Sequence, residues 1–305
     1  TSALLFGLGT LFVQDVHDVG FTYQAITYGG LYTQMWGMFL LPATVGAFRR
    51  YVVERDLPLA VPVALFVVLS TSHLFCGMFA GIATALWPLV AGDRRLEQGK
   101  RALQVWVPAL ALLAFWLGPL LATGDLIGGL PWKDEYYNGW PATELFGHLM
   151  GGDVFDSGRI PWLTLLAGGG LFGVLQQRFG PSAHDPSDSD GQPARRFHNW
   201  LLMLGALSLV LFMGRTNFGG WYDMIPMHAH INVMRYINAI QFCGLLLAAL
   251  SGARLIEWLR GTLRESFVAE QAATIGLGIA VVVGGGLAVQ RHLAFGDTLK
   301  TFNQH

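Results

Sequence analysis

The chain has 305 residues, of which 53% are apolar and only 13% charged, and its mean hydropathy is +0.45. A soluble globular domain carries about 25% charged residues, so this composition leaves too little polar side chain to cover a water-facing bundle. The formal net charge of −1 carries no electrostatic footprint for nucleic acid, and the two cysteines, Cys76 and Cys243, form neither a metal spacing nor a disulfide framework.

Apolar runs recur at 1–13, 29–47, 57–90, 102–123, 161–177, 199–214, 233–253 and 272–290. A helix needs roughly 20 apolar residues to cross the hydrocarbon core, with about 17 as the short limit, and most of the runs satisfy this. The first contains Thr1 within an oily stretch, so the sequence reads as a piece of a longer membrane protein. The run 57–90 is too long for one crossing and predicts a tight hairpin of two short helices turning near Ser72 and His73. Pro161 is a good first-turn residue and predicts a helix entering the membrane there. The expected fold is all-α: residues 1–305 form a single polytopic transmembrane domain of about nine helices, with short cytoplasmic loops and longer outer loops.

Lys and Arg in short connectors mark the cytoplasmic side. The basic connectors are 48–56, 92–101, 176–197 and 253–264. Those at 14–28, 72–73, 124–160, 215–232 and after 290 are poor in Lys and Arg for their length, and the two kinds alternate once the hairpin counts as two helices. The Ser/Asp/Pro-rich stretch 180–197 reads as a flexible cytoplasmic linker, and 257–271 as an amphipathic helix on the inner membrane face. No internal repeat is visible.

The outer connectors hold the candidate chemistry. Residues 13–37 place Asp15, His17 and Asp18 just past an apolar run. Two carboxylates flanking an imidazole suit a divalent cation or proton transfer, and suit equally a helix cap at the interface. Ser72 and His73 sit at the hairpin tip, a depth at which ionisable residues usually face a cavity, and a histidine satisfied at a helix end reads the same way. The long loop 124–160 combines Trp132, Lys133, Asp134, Glu135, Tyr136, Tyr137, Trp140 and His148. Rings such as Trp140 beside carboxylates such as Glu135 suit a sugar groove, and suit equally the aromatic belt of any membrane protein. The stretch 214–242 gathers Arg215, Trp221, Tyr222, Asp223, His228, His230 and Arg235. On a helix, His228 and His230 point about 200° apart and share no metal. Arg235 starts an apolar helix on the non-basic side, against the charge bias. Its forked guanidinium suits a phosphate, although an arginine snorkelling to lipid headgroups reads the same way.

Four stretches carry a family resemblance: "GGLYTQMWGMFLLPATVGAFRRYV" (29–52), "STSHLFCGMFAGIATALWPLV" (70–90), "GGDVFDSGRIPWLTLLAGGGLFG" (151–173) and "MRYINAIQFCGLLLAALSG" (234–252). In these the chain resembles the later part of a bacterial polytopic membrane protein of the GT-C glycosyltransferase-like superfamily. Within it, the nearest group is the one labelled "6-pyruvoyl-tetrahydropterin synthase-related" membrane proteins, a label that implies no pterin chemistry. The resemblance implies a multi-pass protein of a bacterial or archaeal plasma membrane. Such a protein transfers sugar from a polyprenyl-phosphate donor on the outer face to a glycan or lipid acceptor. It further implies an Asp or Glu base in the first outer loop, matched by Asp15 or Asp18 if 14–28 is that loop, with the base otherwise upstream of Thr1. Arg235 matches the lipid-phosphate clamp, and His73 and His228 match it more weakly. The rival readings are a transporter or flippase of a lipid-linked substrate and a non-catalytic membrane subunit. A transporter is expected to show broken helices and midplane polar groups.

Overall fold

A computed structural model of the chain describes residues 6–7, 9–10, 12–14, 20, 32–123, 138–179, 192–225 and 232–263. Eight α-helices order these residues: α1 (Tyr32–Arg49), α2 (Ala60–Ser72), α3 (Leu74–Leu89), α4 (Arg95–Ala122), α5 (Ala142–Gly151), α6 (Trp162–Phe179), α7 (Gln192–Phe218) and α8 (Ile237–Leu263). No strand occurs among the described residues; an isolated bridge joins Gln14 to Asp156. The chain is all-α, as its composition predicts.

Among the described residues three helical stretches are long and apolar enough to cross a membrane: Gly92–Ala122, Pro193–Met224 and Val233–Thr262. At about 1.5 Å per residue, 30 residues reach roughly 45 Å, well beyond a hydrocarbon core of about 30 Å. Leu103, Val107, Leu110 and Phe115 stand exposed along α4, as a lipid-facing surface requires. Three such helices are fewer than the expected nine. The runs 1–13 and 272–290 lie largely or wholly outside the described residues.

The run 57–90 divides where its polar residues predict. Helix α2 has 13 residues and α3 has 16, each short of a full crossing, and His73 breaks them apart in extended geometry (φ −157°, ψ 109°). The pair is pinched at Gly77, where a Cβ would lie 2.8 Å from the Ser70 Cα. Helix α1 rests on the same turn through Gly37, where a Cβ would lie 2.8 Å from Cys76 Sγ and 2.9 Å from His73 Cβ.

Helix α6 begins at Trp162, one residue past Pro161. Its cap is Asp156, a buried carboxylate that accepts from Leu163 N (3.3 Å), Thr164 N (2.8 Å) and Thr164 Oγ1 (2.8 Å). Three of the four glycines of "LAGGGLFG" then serve close packing against α8. A Cβ on Gly170 would lie 2.6 Å from the Leu247 carbonyl carbon, while Gly169 faces Ser251 and Gly173 faces Arg254. Small residues let membrane helices approach until backbones touch. The turn before α6 docks on α8 as well: Gln241 Nε2 donates to Val154 O at 2.9 Å, and Gly244 leaves room for the Phe155 ring.

Three sequence expectations change. The linker 180–197 ends sooner, because α7 starts at Gln192; Pro193 suits a first turn and Phe197 packs on Trp200, with ring centroids 5.7 Å apart. The outer loop 124–160 contains α5, whose Leu145 is fully buried and holds the helix on the bundle. Residues 257–263 continue α8 and form no separate surface helix; the rest of 257–271 lies outside the described residues.

Two apolar clusters fill the interior. The larger contains Phe48, Phe79, Trp200 and Phe242, with Trp87 stacked on Trp200 at 4.7 Å. The smaller contains Phe75, Trp140, Leu145, Phe212, Met234 and Tyr236, around the hairpin turn and the start of α8.

Candidate functional site

His73 and Arg235 lie 162 positions apart and meet at the hairpin turn, where Arg235 Nη1 approaches His73 Nε2 at 3.4 Å. Three elements build the meeting point. His73 is the residue between α2 and α3; its backbone N–H donates to Leu69 O at 3.0 Å, which closes α2. Its Nδ1 accepts from Cys76 N at 3.3 Å and so caps α3. The ring is 9% exposed.

Arg235 sits in a 3₁₀ turn, Val233–Tyr236, that leads into α8. Asn232 opens this turn, its side-chain oxygen accepting from Met234 N at 3.0 Å. Buried Val233, Met234 and Tyr236 anchor the turn in the smaller cluster and leave Arg235 directed at the histidine. Asn238 Nδ2 donates to the Arg235 carbonyl at 2.9 Å, and Gln34 Nε2 on α1 donates to Asn238 Oδ1 at 3.3 Å. Both amides are buried, so α1 and the start of α8 are joined by a polar link beside the arginine.

The protonation pattern gives the pair its chemistry. A neutral imidazole has one N–H. Cys76 N meets Nδ1 at 3.3 Å and Arg235 Nη1 meets Nε2 at 3.4 Å, both as donors, and the single acceptor nitrogen of a neutral ring satisfies one of the two; with Nδ1 accepting, Nε2 carries the hydrogen and faces Arg235 donor against donor. Among the described residues no carboxylate lies within ion-pair distance of Arg235. Two converging donors with a fixed positive charge and no acid between them form an acceptor for an anion. A guanidinium and an imidazole N–H match phosphate oxygens in particular.

Two of the remaining candidates, Arg215 and Trp140, have contacts of their own. Arg215 Nε donates to Asp223 Oδ1 at 3.0 Å, and its guanidinium lies over the Tyr222 ring at 5.2 Å from the centroid. One residue earlier Gly214 kinks α7 in a backbone conformation (φ 50°, ψ −146°) that favours glycine. Trp140 is 4% exposed, its ring tilted on His148 at 4.6 Å and edge-on to Phe212 at 4.9 Å. A ring so covered packs the interior and has little face left for a sugar. Asp15, Asp18, Glu135 and His228 lie outside the described residues. The divalent-cation expectation rested on Asp15, His17 and Asp18; among the described residues no group of three or more His, Cys, Asp or Glu side chains is arranged to hold a metal.

Sequence reasoning did not single out a second polar cluster. His148 Nδ1 lies 2.9 Å from Asp153 Oδ2, and His148 Nε2 lies 3.8 Å from Glu144 Oε1. A helical reading of "ATELFGHLMG" would have found half of it, since Glu144 and His148 are four apart and share a helix face. Compared with protein families, curated proteins and solved structures, the chain matches none.

Proposed function

We propose that this chain is a membrane transferase of the GT-C-like kind, taking a sugar from a polyprenyl-phosphate donor at the outer membrane face. Arg235 and His73 hold the lipid phosphate in this reading. The observation that carries it is the approach of a half-buried Arg235 to a buried His73 at the end of apolar helices, without an acidic partner among the described residues. A charged headgroup on a long oily chain suits such a position, because its tail stays in lipid while its phosphate reaches the donors. The nine-crossing topology belongs to the same proposal; it puts the hairpin turn, 124–160 and 215–232 in one outer compartment.

The experiment is binding of polyprenyl monophosphate to the full chain in lipid nanodiscs. A hydrogen bond to a charged group contributes about 1.5–3 kcal/mol, so Arg235→Ala is expected to weaken binding by about 10- to 100-fold. Arg235→Lys keeps the charge and loses the fork, and falls between. Neutral polyprenol serves as the tail-only control, and inorganic phosphate as the headgroup-only competitor. Equal affinity of a folded Arg235→Ala protein and the unaltered one refutes the clamp.

One observation favours a transporter or flippase instead. Helices α2 and α3 stop short of a crossing, and broken helices of this kind line transport sites. Movement of a fluorescent polyprenyl phosphate between the leaflets of vesicles, without release of sugar, would establish that reading.

A further inference from the structure

We propose that His148, oriented by Asp153, is the proton acceptor for the attacking hydroxyl in this transfer; the proposal rests on the phosphate reading of Arg235 and His73. Asp153 reaches His148 because α5 ends in a left-handed Gly152 (φ 90°), after which the chain folds back and Asp153 N donates to His148 O at 2.9 Å. The carboxylate then accepts the Nδ1 hydrogen at 2.9 Å, which leaves the lone pair on Nε2. This is the tautomer a general base needs, with the third group orienting the ring.

Among the described residues Nε2 meets no hydrogen-bond partner, since Glu144 Oε1 stands 3.8 Å away, beyond hydrogen-bond reach. Asp153 and Glu144 are the ionisable groups that contact His148 among the described residues. The other neighbour is the Trp140 ring; the nearby side chain from α7, Asn217, is neutral and bonds to Ala142 N at 3.1 Å. The His148 side chain is 27% exposed, open to an acceptor in a way that His73 is not.

Both sites border one apolar cluster. Trp140 and Leu145 bring α5 into it, and Phe75 and Tyr236 bring the neighbours of His73 and Arg235. In the step, the acceptor O–H proton passes to His148 Nε2 and the acceptor oxygen bonds to the anomeric carbon. The bond from that carbon to the lipid phosphate oxygen breaks, and its electron pair stays on the phosphate held by Arg235 and His73. Asp153 is a positioning residue and never touches substrate.

The test uses the full chain in nanodiscs and three readouts. The first is affinity for polyprenyl monophosphate. The second is release of free hexose from a panel of polyprenyl-phosphate hexoses, with water as acceptor. The third is the ¹⁵N signature of the His148 tautomer, assigned by difference from His148→Gln. His148→Gln is expected to bind polyprenyl monophosphate within about twofold of the unaltered protein and to release hexose about 100-fold more slowly or less, the usual range of a lost general base. The unaltered protein is expected to carry hydrogen on Nδ1, and Asp153→Ala a mixture of tautomers. Unchanged release by His148→Gln, or hydrogen on Nε2 in the unaltered protein, overturns this proposal alone. Failure of the unaltered protein to bind polyprenyl monophosphate overturns the phosphate reading and this proposal together. Binding without release from any donor overturns the transfer and the base, and leaves the anion site standing.

Discussion

Two glycines two residues apart on α6 should respond to the same substitution with opposite sign. At Gly170 an added Cβ would lie 2.6 Å from the Leu247 carbonyl carbon and 3.0 Å from its Cα, and closer still to its oxygen. Restoring an ordinary 3.4 Å contact moves one backbone away from the other by about 0.8 Å along that line, and neither helix has a flexible side chain there to give way. Overpacking of this kind costs about 1–3 kcal/mol, and rigid backbone on both sides puts Gly170→Ala toward the upper end. At Gly168 nothing lies within 4 Å of the added carbon. Gly168→Ala therefore costs no contact and gains up to about 1 kcal/mol of helix propensity. Gly169→Ala and Gly173→Ala fall between, because Ser251 and Arg254 can swing aside. The measurement is the denaturation midpoint of each variant purified in one detergent. The propensity gain is common to both substitutions, so the expected order is Gly168→Ala above the unaltered protein and Gly170→Ala lowest, separated by the overpacking cost of about 1–3 kcal/mol. Equal midpoints for Gly168→Ala and Gly170→Ala would refute the argument that α6 and α8 touch backbone to backbone at Leu247.

Asp156→Ala removes the acceptor of two backbone N–H groups and one hydroxyl at the start of α6, and should cost about 1–2 kcal/mol. Faster hydrogen exchange at the Leu163 and Thr164 amides, with α8 unaffected, checks that the loss is local. At the far end of α1, Arg50 donates to Asp56 Oδ2 through Nη2 at 2.7 Å and Nε at 2.9 Å. The hydrogen bond from Arg50 holds the Asp56 carboxyl below its ordinary value of 3.8. A carboxyl depressed in the folded state stabilises above its unfolded value, and that stabilisation is lost as pH falls from the ordinary value through the lower, folded one. Arg50→Gln should therefore lower the unfolding midpoint near neutrality, where the contribution is fully present, and the two proteins should converge as pH falls below 3.8, as read from unfolding midpoints across a pH series.

What the sequence made legible is what local chemistry decides. The oily runs, the break near His73 and the helix start after Pro161 each follow from a few adjacent residues. The linker's early end escaped because Phe197 and Trp200 matter only once Trp87, from a different helix, is there to stack on them. Helix α5 escaped because Leu145, its one buried side chain, is surrounded in sequence by polar and aromatic residues that read as loop. For the site, Arg235 and His73 stood out separately, each as a polar group in oily surroundings. Their approach depends on how α8 packs beside the hairpin, and nothing in either stretch encodes a partner 162 positions away.

The arginines of the chain supply their own comparison. Arg49 pairs with Glu54, Arg50 with Asp56, Arg55 with Glu97 and Arg215 with Asp223. Each of these has a carboxylate within salt-bridge distance, as an arginine kept for structure should. Arg235 stands among fully buried neighbours, where an uncompensated charge is most costly, and its described polar partner is an imidazole. A headgroup-snorkelling role does not explain this, because a snorkelling arginine extends toward water. Here the side chain instead reaches across to the hairpin turn. In the phosphate reading proposed above, a half-buried cation beside a second polar hydrogen-bearing group is relieved when an anion arrives. That reading predicts tighter binding of a charged lipid than of a neutral one of equal length, and the polyprenol control measures the difference.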